Sequence, residues 1–190
     1  MLISSNVTVD AINEILSAIG DAPVNSIENP TNVNVINAIA ILERTNRKEQ
    51  ARGWSFNIRE SYTLNPDTTT KKIPWSNLFL RIKSADGTKY VRRGDYLYNF
   101  TDQTYTFERA IEVECILLVS FEEMPEAMRS YITAKAALEF QVKYQGDEAL
   151  TEELKRNLAD AWARLQEDEM DLNNFNVLDT AEVALIARRH

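Results

Sequence analysis

Apolar residues recur at helical spacing in four stretches of the chain, two near its start and two near its end. Residues 8–20 and 31–53 form the first pair, and residues 125–146 and 151–172 form the second. Recurrence at every third or fourth position is typical of an amphipathic helix, and capping residues or glycines flank these stretches. The pattern predicts a helical bundle to which both ends of the chain contribute.

The middle of the chain shows the two-residue alternation of strands. The alternation begins at Trp54 and is longest over residues 111–119. A further stretch alternates at Leu78, Leu80 and Ile82. The Asp86-Gly87 pair that follows is typical of a tight hairpin. Because the connections are too short for crossover helices, we expect these strands to pair in antiparallel fashion.

Together the two patterns predict an α+β protein. We expect a helical bundle from the N- and C-terminal helices (residues 1–53 and 122–172), with an inserted antiparallel β-sheet domain over residues 54–121. Residues 173–190 are too few to form a core of their own, and we expect them to form a C-terminal arm. At 190 residues, the chain corresponds to one large domain or two small ones.

Several predicted helices carry more apolar surface than one stripe requires. In the second helix, apolar side chains at 100° per residue project in almost every direction. In the third, Met128, Tyr131, Ile132, Leu138 and Val142 form one stripe, while Phe140 and Tyr144 lie opposite. The last helix has a single stripe, formed by Leu150, Leu154, Leu158, Ala161, Leu165 and Leu172. Either the second helix is central in the monomer, or a second subunit covers part of it.

We predict a protein–protein interface from these surplus positions and from the apolar residues of the arm. The candidate interface residues are Val33, Ile36, Ile41, Phe140, Tyr144, Val177, Leu178, Val183, Leu185 and Ile186. The basic residues that follow in the second helix, Arg44, Arg47, Lys48 and Arg52, fit a solvated face or a patch for an acidic partner.

Charge and composition narrow the class of protein. The net charge is −8, from 29 acidic and 21 basic residues, which argues against a DNA-gripping protein. Tyrosines do interleave with bases near Arg92 and Arg93, as in a single-strand-binding platform, but packing within the sheet is the preferred interpretation. The start of the chain lacks a secretory pattern, and the single cysteine, Cys115, should be a small buried residue.

Candidate chemistry is sparse. His190 is the only histidine and Cys115 the only cysteine, so we predict no metal site, no cofactor and no catalytic residue. Paired carboxylates occur at Glu122/Glu123, Glu152/Glu153 and Asp168/Glu169. Two carboxylates could in principle hydrolyse a glycan, and a carboxylate-based glycan hydrolase stays the alternative hypothesis. Solvated acids at helix starts and on polar faces are the preferred interpretation, so we expect no enzymatic activity.

Six short segments carry a resemblance to a known family. They are AINEIL (11–16), IGDAPV (19–24), RGWSFN (52–57), EMPE (123–126) and EMD with NVLD (169–171 and 176–179). In this order, over nearly the whole chain, they resemble the tail tubular A proteins of short-tailed phages of the T7 type. The segments are helix ends and turns, so the resemblance transfers no catalytic residue.

The resemblance implies a head-to-tail adaptor of the virion tail, made in the cytoplasm of the bacterial host. It implies a homododecameric ring that joins the portal protein to the tail nozzle protein, tail tubular protein B, and that carries the tail fibres. It further implies virion assembly and genome ejection through the host envelope, with double-stranded DNA passing through the ring without specific binding. The arm would then embrace a neighbouring subunit.

Overall fold

The computed structural model describes residues 6–178, with side chains up to Leu172. It contains four α-helices and five antiparallel strands, which confirms the α+β prediction. The helices are α1 (Val7–Ser17), α2 (Val33–Gln50), α3 (Glu126–Tyr144) and α4 (Glu148–Leu178). The strands are β1 (Ile58–Leu64), β2 (Phe79–Lys83), β3 (Tyr90–Arg93), β4 (Tyr96–Asn99) and β5 (Ile111–Leu117), and a 3₁₀ turn spans Phe121–Glu123.

The chain divides into two compact units. Among the described residues, the helical unit comprises residues 6–46 and 120–178, and the β unit comprises Arg47–Val119. The β unit thus starts inside the last turn of α2, seven residues before the domain boundary predicted at residue 54. The predicted arm begins as helix, because α4 continues to Leu178. Residues 179–190 lie outside the described residues.

Polar caps decide where the helices begin. The sequence suggests Thr8 and Thr31 as the caps of the first two helices and Thr151 as the start of the last, and the structure differs at all three. Asn6 rather than Thr8 caps α1, and the Thr8 hydroxyl instead donates to the Glu122 carboxylate. Asn32 rather than Thr31 precedes α2, where its side-chain oxygen accepts from the Asn34 N–H at 2.8 Å. Asp147 caps α4, since its carboxylate accepts from the Leu150 N–H at 2.8 Å. The helix therefore starts before the predicted Thr151.

The helical unit is built on α3, which packs against α1 on one side and α4 on another. Ile12, Ile15 and Leu16 of α1 are fully buried, as are Met128, Ile132 and Phe140 of α3. Between α3 and α4, the Tyr131 and Trp162 rings lie 5.1 Å apart. Buried aliphatic and aromatic side chains of this kind contribute about 2 kcal/mol each to folding.

The β unit contains two antiparallel sheets. In the larger one β5 is central, with β1 and β2 on its two sides, and in the smaller one β3 pairs with β4. The chain turns at Asp86-Gly87, but β2 and β3 do not pair there, so the predicted hairpin is wrong at this turn. A hairpin does form at Gly94, where Arg93 pairs with Tyr96. β1 starts at Ile58 instead of Trp54. Trp54 begins a turn, in which its carbonyl accepts from the Asn57 N–H at 3.0 Å.

A bulge changes which residues of β2 face the core of the β unit. That core consists of Leu64, Ile73, Phe79, Leu97, Phe107, Val113 and Cys115. The register against β5 shifts between Phe79 and Arg81, so Phe79 is buried while Leu78 is 55% exposed. The predicted alternation of Leu78, Leu80 and Ile82 is therefore wrong at its first member. Cys115 is buried, as predicted.

Candidate interaction surfaces

The start of α2 presents apolar side chains to solvent. Val33 is 66% exposed and Ile36, one turn later on the same face, is 46% exposed. Ile41 is only 2% exposed and therefore has no surface to offer to a partner. The two interpretations of this helix thus apply to different residues. Ile41 belongs to the monomer core, and Val33 and Ile36 remain candidates for a contact with another molecule.

The end of α3 repeats this division. Phe140 is fully buried and is therefore no longer a candidate interface residue. Tyr144, whose ring packs against that of Phe140, is 41% exposed and stays a candidate. Val142 is 55% exposed although the sequence placed it on the buried stripe. The buried side chains follow the row Met128, Ile132, Ala136 and Phe140. Val142 lies two residues, or about 200° of helix turn, beyond that row and faces away from it.

The second half of α4 overhangs α3. The two helices run back to back from their shared loop with the same rise per residue. Tyr131 therefore lies opposite Trp162. Glu126, the first residue of α3, lies near Glu167. Met170 and Leu172 lie beyond that point and are 57% and 47% exposed. The prediction that Leu172 faces the core is therefore wrong. Val177 and Leu178 are helical in α4, but their side chains, like Val183, Leu185 and Ile186, lie outside the described residues.

A groove of about 480 Å³ runs between the start of α3 and the second half of α4. Small residues, Ala127, Ser130 and Ala161, line it together with acidic Asp160, Glu167 and Asp168. Arg164 also lines it. Among the described residues, no cluster of histidine, cysteine, aspartate and glutamate has the arrangement of a metal site. The groove is acidic overall, because four carboxylates and one arginine line it.

Two of the paired carboxylates have a lowered pKa. Hydrogen bonding from Thr8 lowers the pKa of Glu122, and the hydrogen bond from Lys155 lowers the pKa of Glu152. A glycosidase acid needs the opposite shift, toward a raised pKa. Partial burial of its carboxyl group does raise the pKa of Glu14, which lines a surface depression of α1 together with Asp10. Arg129 lines the same depression, and its guanidinium donates to the carbonyls of Met124 (2.7 Å) and Glu122 (3.0 Å).

The β3–β4 hairpin has one face turned away from the β core. Leu97 of β4 enters the core, so its neighbours Tyr96 and Tyr98 point to the other face. Arg93 and Val91 lie opposite them on β3 and share that face. The sequence pattern favours packing of these tyrosines within the sheet. Tyr96 is 37% exposed, whereas Tyr98 is covered by neighbouring side chains.

None of the described helices is both long enough and apolar enough to cross a membrane. What the described surface does present is apolar side chains at the ends of three helices and a basic, aromatic hairpin face.

Comparisons with known proteins identify the family of the chain. The sequence model of the family described as tail tubular protein matches residues 9–175. Tail tubular protein A of Klebsiella phage KP34 is 30% identical over 134 residues, which is 68% of this chain and 71% of that protein. These matches define a structural protein of a phage tail. The chain belongs to the tail tubular protein family, and the resemblance seen in its short segments is confirmed.

The segment RGWSFN, which carried part of the resemblance, has a structural role in the β unit. It forms the turn from α2 into β1, where Gly53 has a φ of +85°. The Trp54 indole donates to the Glu49 carbonyl at 2.8 Å, and Asn57 is fully buried. The segment is therefore a folding element, consistent with the expectation that the matching motifs are turns and helix ends.

Proposed function

We propose that this protein is the head-to-tail adaptor of its virion. Copies of the chain form a ring, a dodecamer by the family resemblance, between the portal protein and the tail nozzle protein, tail tubular protein B. The ring carries the tail fibres, and double-stranded DNA passes through it during packaging and ejection without specific binding. Family membership is the observation on which the proposal rests.

Exposed apolar side chains support assembly with other subunits. Val33, Ile36, Val142, Tyr144, Met170 and Leu172 are each more than 40% exposed in the helical unit. They fall at the start of α2 and at the ends of α3 and α4, so two or more different surfaces could take part. Contacts between unlike surfaces of identical subunits generate rings when the rotation closes.

The charge of the chain supports passage of DNA without binding. A net charge of −8 per subunit, multiplied around a ring, repels a polyanion and keeps it from adhering to the wall.

The direct test mixes the purified full-length chain with the portal protein and images the product by electron microscopy. We expect rings of the chain alone or rings seated on the portal, and we expect the nozzle protein to bind only to those rings. A chain that stays monomeric with both partners present, and binds neither, would overturn the proposal. Hydrolysis of glycans by the purified chain, lost when the acidic pairs are changed to amides, would support the alternative of an enzyme.

A further inference from the structure

Positively charged side chains lie on the aromatic rings of the outer hairpin face. Lys72 Nζ is 5.1 Å from the centre of the Tyr96 ring and 5.8 Å from that of Tyr105. Arg93 Cζ is 4.0 Å from the centre of the Tyr98 ring. The Tyr98 and Tyr105 rings meet edge to face at 4.7 Å. We call these five residues the cationic face.

The arrangement favours a carboxylate-bearing partner over single-stranded nucleic acid. Bases stack on open ring faces, and here Arg93 and Lys72 already occupy faces of the tyrosine rings. The cations themselves remain available, because no carboxylate among the described residues forms an ion pair with Lys72 or Arg93. Contact with the rings limits the motion of both cations, which lowers the entropy lost when a partner binds.

The same chain supplies an acidic surface. The β unit has twelve basic and nine acidic residues, for a net charge of +3, while the rest of the chain has nine basic and twenty acidic residues, for a net charge of −11. Over residues 148–172, α4 has eight acidic and three basic side chains, and α3 is the one element against which it packs extensively. Exposed Glu167 and Asp168 at the groove form no ion pair with any described residue.

We propose that the cationic face of one copy docks on the acidic side of α4, formed by Asp160, Glu167 and Asp168, in a second copy. Opposite charges on two different surfaces of one chain favour a head-to-tail contact, which is the kind that closes into a ring. The inference rests on the proposed function, because it names the surfaces through which neighbouring ring subunits meet. Charge complementarity within one sequence favours a second copy over an unrelated acidic protein.

The test is a charge exchange between the two surfaces. Lys72→Glu with Arg93→Glu should weaken self-association at least about tenfold, and so should Glu167→Lys with Asp168→Lys. An equimolar mixture of the two variants should associate more tightly than either alone, since each restores one complementary contact. Sedimentation velocity at low and high salt measures both effects, and added salt should weaken the parent chain most.

A matched control changes the same amount of charge elsewhere in the β unit. Arg59→Glu with Arg109→Glu reverses two exposed cations outside both the cationic face and the basic stripe of α2, and should leave self-association within about twofold of the parent. Circular dichroism establishes that each variant is folded. Restored association in the mixture also shows that both variants kept their structure.

The outcomes separate this inference from the proposed function. Rings that form equally well in all variants would overturn the inference and leave the adaptor proposal standing. Rings that form but no longer bind the nozzle protein would assign the cationic face to that partner instead of a second copy. A gel shift with single-stranded DNA that is lost in Lys72→Glu with Arg93→Glu would assign it to nucleic acid. A parent chain that never self-associates, even on the portal, would overturn both proposals.

Discussion

Gln50 and Val119 are joined by two reciprocal hydrogen bonds, although 69 residues separate them. The Val119 N–H donates to Gln50 Oε1 at 2.8 Å, and Gln50 Nε2 donates to the Val119 carbonyl at 2.9 Å. The side chain of the last residue of α2 thus pairs with the backbone as a neighbouring strand would. Asn57 extends this network, since its Nδ2 donates to the carbonyls of Gln50 and Leu117 at 3.0 Å each. The two ends of the β unit are held together in this way.

Gln50→Glu should destabilise the β unit by about 3 kcal/mol at neutral pH. One carboxylate oxygen can still accept from Val119, but the other faces the Val119 carbonyl in a fully buried site with no donor between them. The loss of stability should be smaller at acid pH, because the protonated carboxyl can donate to the Val119 carbonyl. Chemical denaturation of the variant and the parent at matched pH values measures the difference.

Gln103→Glu is the control for that change, because Gln103 is exposed and belongs to the same unit. Labelling of Cys115 gives a local readout, since the thiol is buried and burial raises its pKa, so it reacts slowly while the β unit stays folded. Gln50→Glu should accelerate labelling and Gln103→Glu should not. Equal rates in the two variants would mean that the amide pair contributes little.

Gly53→Ala should destabilise the same turn by about 2–4 kcal/mol. The φ of +85° disfavours any side chain, and an added Cβ would lie 2.8 Å from Ile116 Cδ1. Ile116 is fully buried, so its methyl group has little room to move. Thermal unfolding and the labelling rate of Cys115 measure the effect.

Gly87→Ala separates the two causes. Gly87 has a φ of +83° and no atom within 4 Å of an added Cβ, so only the backbone strain of about 1 kcal/mol applies. If Gly53→Ala were no worse than Gly87→Ala, crowding against Ile116 would not contribute.

Elements with regular patterns could be predicted from the sequence, and long-range polar contacts could not. The periodicity of α1, α3 and β5 identified each as helix or strand, because burial of one face repeats at the period of the element. The pairing of Gln50 with Val119 has no such signal. A glutamine near the end of a helix satisfies every local rule whether it is solvated or buried, and its partner lies 69 residues away.

The same limit applies to the candidate surfaces. The sequence marked the start of α2 and the end of α3 as having surplus apolar positions, but it could not separate buried Ile41 from exposed Ile36 without the packing of the unit. It marked the tyrosines and arginines of the hairpin but not the whole cationic face, because Lys72 reaches Tyr96 and Tyr105 reaches Tyr98 only in the folded β unit. Whole-chain charge also concealed the basic β unit, since the acidic helices outweigh it.

Asp86 should make stability depend on pH in the acid range. Hydrogen bonds from the Ser84 hydroxyl (2.6 Å) and from the Thr88 N–H (2.9 Å) lower its pKa from 3.8 to about 2. A carboxyl whose pKa is lower when folded stabilises the folded state above its unfolded pKa, and that stabilisation disappears as the pH falls from about 4 to 2. Asp86→Asn should therefore lower the Tm at pH 7 and have little effect near pH 2.

Ser84→Ala provides the matched variant for Asp86, because it removes the strongest of these hydrogen bonds. In the Asp86→Asn background, Ser84→Ala should lower the Tm by less than it does in the parent, since both changes remove the same interaction. Melting curves of the two single variants and the double variant between pH 2 and pH 7 measure this coupling. A difference in Tm between parent and Asp86→Asn that stays constant over this range would contradict the assignment.

Val33→Ser with Ile36→Ser should weaken ring assembly while leaving the subunit folded. Both side chains are already largely exposed, so the change removes little burial from the monomer, but it removes apolar area from a contact with a neighbour. Leu78→Ser is the control, because Leu78 is 55% exposed in the β unit and belongs to none of the candidate surfaces.

Ile41→Ala should instead destabilise the subunit itself and lower its free energy of unfolding by about 2–4 kcal/mol, because Ile41 is buried. Thermal unfolding of the monomer and counting of rings on the portal by electron microscopy distinguish the three variants, and normal rings from Val33→Ser with Ile36→Ser would remove the start of α2 from the interface.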